Sequence, residues 1–383
     1  MIAFLAGLVF LFNLYAALDV LLGTARMRNL REIEPLPPAR RPRVSIVVPA
    51  CNEEETIRPA LLSLLNLDYR PLEIIVVNDR STDRTGEILA GMRQEYPQLV
   101  ILDIWELPAG WLGKNHALQQ GAETARGEYL LFTDADIHFA PSTLSRAMTL
   151  MVGEQIDHLS LIFRNVARGR LLNAMMIDAG AGLFFLLKPW KAPDPRSRRF
   201  SGVGAFNLLP RSVYFRVGGH ERIKMHPIDD IMLGKIVKLS GYRQDCLSGY
   251  DFLQVRWYES PGKMIDGLMK NIFALYNFRV AYALAAVLLL CLTAILPFWG
   301  IFFLAGPARF FCLLAVTVRL YSSARGARLT GADPGVVPFS LLTPYLNVYI
   351  ILRGMVTTLA NRGIRWRGTR YPLEELRKNP PLL

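Results

Sequence analysis

Val44-Ser45-Ile46-Val47-Val48-Pro49-Ala50-Cys51-Asn52-Glu53-Glu54 is the stretch on which the fold turns. Residues 44–48 are a short apolar run, the pattern of a strand buried on both faces. A polar cluster comes directly after, where that strand must end. Outward from it the pattern alternates. Residues 56–65 have helical spacing, 72–77 read as a second strand, and 83–96 as a second helix. Residues 99–104 read as a third strand, 115–126 as a third helix, and 129–133 as a fourth strand. Strands alternating with helices imply an α/β domain on a Rossmann-like, mostly parallel sheet. Ligands of such sheets bind beyond the carboxyl ends of the strands. There the chain places Asn52, Asp79 and Asp134.

Several residues at those ends can carry chemistry. Asp134-Ala135-Asp136 closes the fourth strand. Two carboxylates so spaced can share a divalent cation, and hard oxygen ligands suit Mg2+ or Mn2+ equally. Alone, the pair reads as well as a solvated turn before Pro141. Asp79, within Asn78-Asp79-Arg80-Ser81-Thr82-Asp83, can accept a hydrogen bond from a uracil imide, and Asp83 reads as the cap of the next helix. Lys114 opens the third helix, where it can reach a phosphate, although a lone lysine is ordinarily a surface residue. Gly202-Val203-Gly204 is a turn where backbone can approach a ligand. Asp229-Asp230 precedes a helical run; one can serve as a general base and the other orient it, or both can cap the helix. Arg256-Trp257 sets a guanidinium able to clamp a diphosphate beside a stacking ring, or is a membrane-interface Trp with a snorkelling Arg.

Composition widens the picture. A chain of 383 residues that is 52% hydrophobic is too apolar to be disordered. Its mean hydropathy of +0.25 directs attention to membrane segments. Residues 2–23 are apolar apart from Asn13 and Asp19, long enough to span. Six arginines lie between Thr24 and Arg43, after that run rather than before it. This favours an uncleaved anchor over a signal peptide and sets the downstream sheet domain in the cytoplasm. The net charge of +12 thus flanks apolar spans instead of covering a nucleic-acid-binding face. Four cysteines without a CxxC pair and five histidines without HExxH spacing give no zinc motif.

The expected organisation is a transmembrane anchor at 1–23, a basic linker extended along the membrane at 24–42, and a sheet domain at 43–262. An amphipathic interfacial helix comes next at 263–280, with Asp266, Lys270 and Asn277 off its apolar stripe. A C-terminal membrane region at 281–360 and a basic cytoplasmic tail at 361–383 complete it. Residues 171–187 read as a buried or membrane-facing helix of the sheet domain, not a span. Among the segments 310–321 and 336–360, one is expected to be re-entrant or interfacial, since three C-terminal spans would put the tail outside.

The ordered set of motifs resembles the family-2 glycosyltransferases of GT-A fold. It comprises V-S-I-V-V-P-A-C-N-E-E, N-D-R-S-T-D, G-K-N-H-A-L, D-A-D, D-D-I-M-L-G and R-W, between about Arg43 and Ser260. The membrane-anchored layout, with Trp366-Arg367-Gly368 in the tail, is similar to the branch of ceramide-glucosyltransferase-like, hopanoid-associated and carotenoid-ester enzymes. The resemblance implies a nucleotide-sugar donor, most often UDP-linked, and inversion at the anomeric carbon. It implies that Pro49, Asn52, Glu53 and Asp79 hold the nucleotide, with Lys114 near the uridine or phosphates. Asp134 would touch the ribose or sugar and share the metal with Asp136. Asp230 matches the base, Asp229 its acidic neighbour, and Arg256 and Trp257 the end of a Q-x-x-R-W motif.

Leu253 stands where processive synthases carry that glutamine, and Gln254 is one place late. Transfer of a single sugar to a membrane lipid is therefore the expectation. A polysaccharide synthase, a polyprenyl-phosphate glycosyltransferase and a non-catalytic nucleotide-sugar-binding scaffold are the alternatives. A-C-N-E-E after the first strand, in place of G-x-G-x-x-G, argues against a dinucleotide oxidoreductase.

Overall fold

The computed structural model describes residues 1–269, 271–379 and 381–382. Its strands are β1 (Val44–Ala50), β2 (Leu72–Asp79), β3 (Leu99–Ile104), β4 (Tyr129–Phe132), β5 (His138–Phe139) and β6 (His158–Ile162). β7 (Arg164–Asn165), β8 (Asn207–Pro210), β9 (Gln244–Ser248), β10 (Leu253–Val255), β11 (Gly363–Trp366) and β12 (Thr369–Pro372) follow. The helices are α1 (Ile2–Ala25), α2 (Ile57–Leu65), α3 (Thr85–Glu95), α4 (Gly113–Thr124), α5 (Thr143–Gly153), α6 (Arg170–Leu187), α7 (Arg211–Arg216) and α8 (Asp229–Leu239). Then come α9 (Pro261–Leu268), α10 (Ile272–Leu275), α11 (Val280–Leu290), α12 (Leu296–Phe303), α13 (Gly306–Thr330), α14 (Thr343–Ala360) and α15 (Leu373–Leu376).

The central sheet runs β3-β2-β1-β4-β8-β6-β9. β1 to β4 are mutually parallel, β8 is antiparallel to both neighbours, and β9 is parallel to β6. This is the mostly parallel α/β sheet expected. Val44, Ile46, Val47 and Val48 are buried because both faces of β1 are covered. One face packs on α2, α3 and α5, through Ile57, Leu61, Leu89 and Met148. The other packs on α4 and α8, through Leu118, Ala122, Met232 and Leu233. The chain runs from β1 outward to β3, then returns to the opposite side of β1 as β4. That reversal opens a crevice at the carboxyl ends of β1 and β4.

The linker departs from its expected course. Leu30 and Leu36 are buried in the sheet domain's core, and Arg28 Nη1 pairs with Glu154 Oε1 at 2.7 Å. These contacts pack residues of the 24–42 linker onto the sheet domain.

The apolar helices gather beside this domain. α1, α6 (taken as Arg170–Lys191) and the helix running from Val280 to Phe303 are each long and apolar enough to cross a membrane. The last is α11 and α12 joined by a π turn at Cys291–Ile295. α6 packs against the apolar helices α1 and α13, while Leu187 at its end packs on the core of the sheet domain. Its Asp178 argues against a span on sequence, but Arg319 Nη2 of α13 stands 2.8 Å from Asp178 Oδ1 and offsets that charge. α13 also runs well past the expected 310–321, ending at Gly331 in the left-handed region. The turn at Pro334–Leu341 and α14 meet at 58°, the geometry of a broken span or a re-entrant loop. The single helix expected over 264–278 is instead α9 and α10; Lys270, between them, lies outside the described residues.

The tail is folded too. β11 and β12 form a hairpin in which Ile364 and Tyr371 are buried against Leu112 and Met225.

Candidate active site

The site is assembled by α4 and α8, whose N-termini meet beneath the crevice. Asn115, in the first turn of α4, donates from Nδ2 to the carbonyls of Ile223 (2.8 Å) and His226 (3.1 Å). Leu112 N–H donates to Lys224 O at 2.8 Å. These bonds fasten α4 to the loop that leads into Asp229. Lys114 Nζ consequently lies 2.8 Å from Asp134 Oδ1 and 3.3 Å from Asp229 Oδ1. Burial alone would loosen the Lys114 proton, but Asp134, Asp229 and Asp230 together outweigh it and hold the ammonium charged.

Gly204 completes the arrangement. Its N–H donates to Asp230 Oδ2 at 2.8 Å, and its carbonyl accepts from Asp134 N–H at 3.1 Å. A Cβ on Gly204 would stand 2.7 Å from Asp134 Oδ2 and 3.3 Å from Asp230 Oδ2. One backbone residue therefore spaces the two carboxylates, and only glycine fits between them. Asp229 is buried, and Asp230 is the partly exposed residue of the two. Burial raises the proton affinity of both: Asp229 is pushed up to about 7, with Asp230 and Asp134 adding to the effect and Lys114 opposing it. Asp230 is raised by burial, opposed by Lys114.

Asp136 sits apart from this pair. Burial, then the charges of Asp134 and Glu53, push it up to about 7. Among the described residues no cation pairs with it. No cluster of three His, Cys, Asp or Glu side chains suited to a metal occurs among the described residues either. The charge of Asp136 reaches Tyr258, whose hydroxyl is pushed up to about 12, chiefly by burial.

The first-strand motif turns out to be a clamp between loops. Pro49 lies in β1 opposite Val77. Asn52, at φ 56°, accepts from Thr82 N–H at 2.7 Å, and its own N–H donates to Ser81 Oγ at 3.1 Å. Asp83 caps α3, accepting from Thr85 N–H at 2.9 Å. Asp79 is buried, and Arg80 grips both of its oxygens at 2.7 and 3.0 Å. Its carboxylate is thus engaged by its own neighbour.

Arg256 and Trp257 are exposed on the loop after β10. β10 pairs with β5 so that Gln254 faces His138, and Arg256 follows just beyond the end of that strand. Trp257 is edge-on to Phe163 and stacked on Tyr258, with ring centroids 5.3 Å apart in the latter pair. Leu253 is buried in the core, which explains an apolar residue there. The structure thus brings together Lys114, Asp134, Asp229 and Asp230. It leaves Arg256 and Trp257 at the rim.

Sequence reasoning missed Arg367. It sits at the tip of the β11–β12 hairpin, and its Nη2 lies 2.5 Å from Glu53 Oε1. Arg80 Nη1 donates to Thr369 Oγ1 at 3.2 Å, and Gly113 N–H donates to Tyr371 Oη at 3.2 Å. The Trp-Arg-Gly triplet was the available signal, masked by a tail that reads as basic and solvated.

Residues 45–206 match the family model described as glycosyl transferase family 2, and this part of the chain is a family-2 glycosyltransferase domain of GT-A fold. Among relatives, the chain is 27% identical over 239 residues to 4,4'-diaponeurosporenoate glycosyltransferase of Staphylococcus aureus strain USA300. That match spans 60% of this chain and 60% of the relative's length. The version from the bovine strain RF122/ET3-1 is 26% identical over 271 residues, 65% of this chain and 69% of that one. Among solved structures, the mannosyltransferase of Pyrobaculum calidifontis in complex with GDP-Man and Mn2+ superposes with a TM-score of 0.59. It shares 18% identity and covers 91% of this chain and 99% of that one, a likeness of fold.

Proposed function

We propose that the protein transfers a single sugar, with inversion, from a nucleotide-diphosphate sugar to a hydroxyl of a membrane lipid. The donor is UDP-linked in this reading. The protein is a multi-pass one of the inner membrane with its sheet domain in the cytoplasm. The observation that carries the reading is the Asp230 carboxylate, fixed by Gly204 N–H next to the Lys114–Asp134 pair.

In this reading Asp230 accepts the acceptor's hydroxyl proton while that oxygen attacks the anomeric carbon. The bond to the donor's diphosphate oxygen breaks on the opposite side, and a single displacement inverts the centre. A carboxylate whose proton affinity is raised by burial is a better base at neutral pH than a surface one. Asp229, tied to Lys114, orients the turn that carries Asp230. Lys114 keeps Asp134 aligned toward the ribose or sugar. Pro49, Asn52, Glu53 and Asp79 form the wall against the nucleotide, and Arg256 with Trp257 closes the rim over the diphosphate.

The residues present fit a divalent cation. Asp136 is an enclosed carboxyl with raised proton affinity and no paired cation among the described residues, next to Asp134. Mg2+ or Mn2+ is typically held by one or two carboxylates together with substrate phosphates. Asp136, with Asp134, would hold it. Such an ion, when bound, supplies charge stabilisation to the departing diphosphate. The Mn2+ and GDP-Man of the mannosyltransferase support a metal-assisted donor site. The relatives named for 4,4'-diaponeurosporenoate, together with the apolar helices beside the domain, support an acceptor delivered from the bilayer.

The test is transfer of label from a panel of nucleotide sugars to total membrane lipid by detergent-purified protein, with Mg2+ or Mn2+. Label from one donor in the organic phase, lost in Asp230→Asn, is the expected result. Asp230→Asn should lower turnover roughly 100- to 10,000-fold, the span of general-base effects, with donor affinity little changed. Label found on a polyprenyl phosphate would replace the hydroxyl acceptor. Donor binding without any transfer would make the protein a scaffold.

A further inference from the structure

We propose that Arg367, at the tip of the C-terminal hairpin, is a donor-diphosphate-binding residue, so that the tail completes the active site of the sheet domain. The inference rests on the donor reading above and adds a second guanidinium to the one that Arg256 supplies from the sheet domain.

The charge inventory of the crevice leads to it. A nucleoside diphosphate brings two or more negative charges into a cleft already holding Glu53, Asp134, Asp136 and Asp230. It needs cations that other groups have not already claimed. Lys114 is shared between Asp134 and Asp229. Arg80 is engaged by both oxygens of Asp79. Arg256 is exposed at the rim. Arg367 contacts Glu53 through one nitrogen alone, and its side chain is 36% exposed. A guanidinium has five N–H donors in a planar fork, so most of this one's capacity remains for phosphate oxygens. Glu53 belongs to the loop that closes β1, and the charge of Asp134 also reaches Arg367. The fork therefore stands against the nucleotide wall at Glu53, close enough to the D-A-D turn for the charge of Asp134 to act on it, in the part of the crevice that a diphosphate linking nucleoside to sugar would enter.

The backbone at the tip supports a role beyond linking two strands. Trp366 pairs with Thr369, leaving Arg367 and Gly368 as a two-residue turn with φ of 47° and 80°. Turns of this shape favour Asn-Gly, because the first residue must adopt a positive φ. Arginine in that place is strained, and strain of this kind gathers at ligand clamps. The hairpin is also held rigidly. Tyr371 is buried and receives the Gly113 N–H at the very start of α4, one residue before Lys114. Thr369 receives Arg80. The tail is thus anchored where the chain leaves Asp79 and where it enters the helix that carries Lys114.

Isothermal titration of the full chain in detergent with Mn2+ tests this, using UDP, GDP, uridine and guanosine as probes. Arg367→Ala should weaken the preferred nucleoside diphosphate roughly 10- to 100-fold, as expected for a lost charge-assisted hydrogen-bonding group. The matching nucleoside should bind as before. Arg367→Lys should fall between, because charge is kept and the fork is lost. Arg370→Ala, whose side chain meets the Asn361 carbonyl on the outside of the same hairpin, is the control and should bind both probes normally. Three results would overturn the proposal: unchanged diphosphate binding in Arg367→Ala, equal loss of nucleoside and diphosphate, or the same loss in Arg370→Ala. A wild-type protein that binds no nucleoside diphosphate would remove the donor reading itself, and this proposal with it.

Discussion

Lys114 Nζ stands 3.3 Å from Asp229 Oδ1, and this contact ties the start of α4 to the start of α8 across the crevice. The same ammonium holds Asp134, so one cation serves carboxylates from separate elements. Lys114→Met would leave those carboxylates facing one another without compensation. Turnover should fall at least about 100-fold, as for an electrostatic group removed from a desolvated site. The rate should also need a higher pH to recover, because losing the cation raises the proton affinity of Asp230 further. A pH–rate profile of the variant checks this, and an unshifted profile would contradict the coupling.

Gly204 is the second test. An alanine Cβ would stand 2.7 Å from Asp134 Oδ2, closer than real contacts allow. Either Asp134 or the 202–204 turn must move, and the Gly204 N–H to Asp230 bond moves with it. Gly204→Ala should cost about 1–3 kcal/mol of stability, typical of overpacking, with turnover lost out of proportion to that figure. Thermal melting beside steady-state rates separates the two effects. Normal turnover would show that the spacing of Asp134 and Asp230 is not critical.

How much the sequence made legible depends on the range of the contacts involved. β1 to β4 can be read because a strand buried on both faces is apolar whatever covers it. Asp134 and Asp136 can be found because a strand end is a local signal. Asp229 and Asp230 can be paired, but not ranked by exposure, since burial under Lys114 depends on Asn115 reaching the 223–226 loop. α6 is hard to place from sequence because its Asp178 is matched by Arg319, on a helix much later in the chain. The linker and the tail read as basic and polar. Each carries a few apolar anchors, Leu30 and Leu36 in one, Ile364 and Tyr371 in the other, whose partners are distant in sequence.

The Asp178–Arg319 pair makes its own prediction. Arg319 Nη2 also donates to Thr343 Oγ1 at 3.0 Å, and Asn347 Nδ2 donates to Asp178 Oδ2 at 2.8 Å. The pair thus links α6, α13 and α14. Arg319→Met should destabilise the protein by about 3–5 kcal/mol, because it strands a carboxylate between apolar helices. Arg319→Met combined with Asp178→Leu should regain most of that loss, since no unpaired charge remains. Melting in detergent gives both values, and a double variant no better than the single would mean that the network's hydrogen bonds matter more than its charge.

His158 lends the sheet domain a sensitivity to acid. It is fully buried between β8 and β9: Nε2 faces Asn207 Oδ1 at 3.2 Å, and Nδ1 faces Gln244 Nε2 at 2.7 Å. That pattern suits a neutral ring that donates from Nε2 and accepts at Nδ1. Burial pushes its proton affinity down to about 4, opposed by the bond to Asn207. His220, also buried, is pushed down to about 3 by burial and then by the charge of Lys114. Below about pH 6.5 the unfolded chain takes up protons that the native histidines refuse. The stability that these two histidines contribute is therefore complete above about pH 6.5 and declines as pH falls toward 4, while Asp136, Asp229 and Asp230 contribute in the opposite direction. At about 1.4 kcal/mol for each tenfold change in proton affinity, His158 alone accounts for about 3 kcal/mol once the pH reaches 4. Between about pH 6.5 and 4 the histidines should pull the melting temperature down as acid is added. In His158→Gln, whose amide can still donate to Asn207, the slope should be shallower while the neutral-pH melting temperature is lower. An unchanged slope would place the acid sensitivity in His220, because the crevice carboxylates, with raised proton affinity, act in the opposite direction.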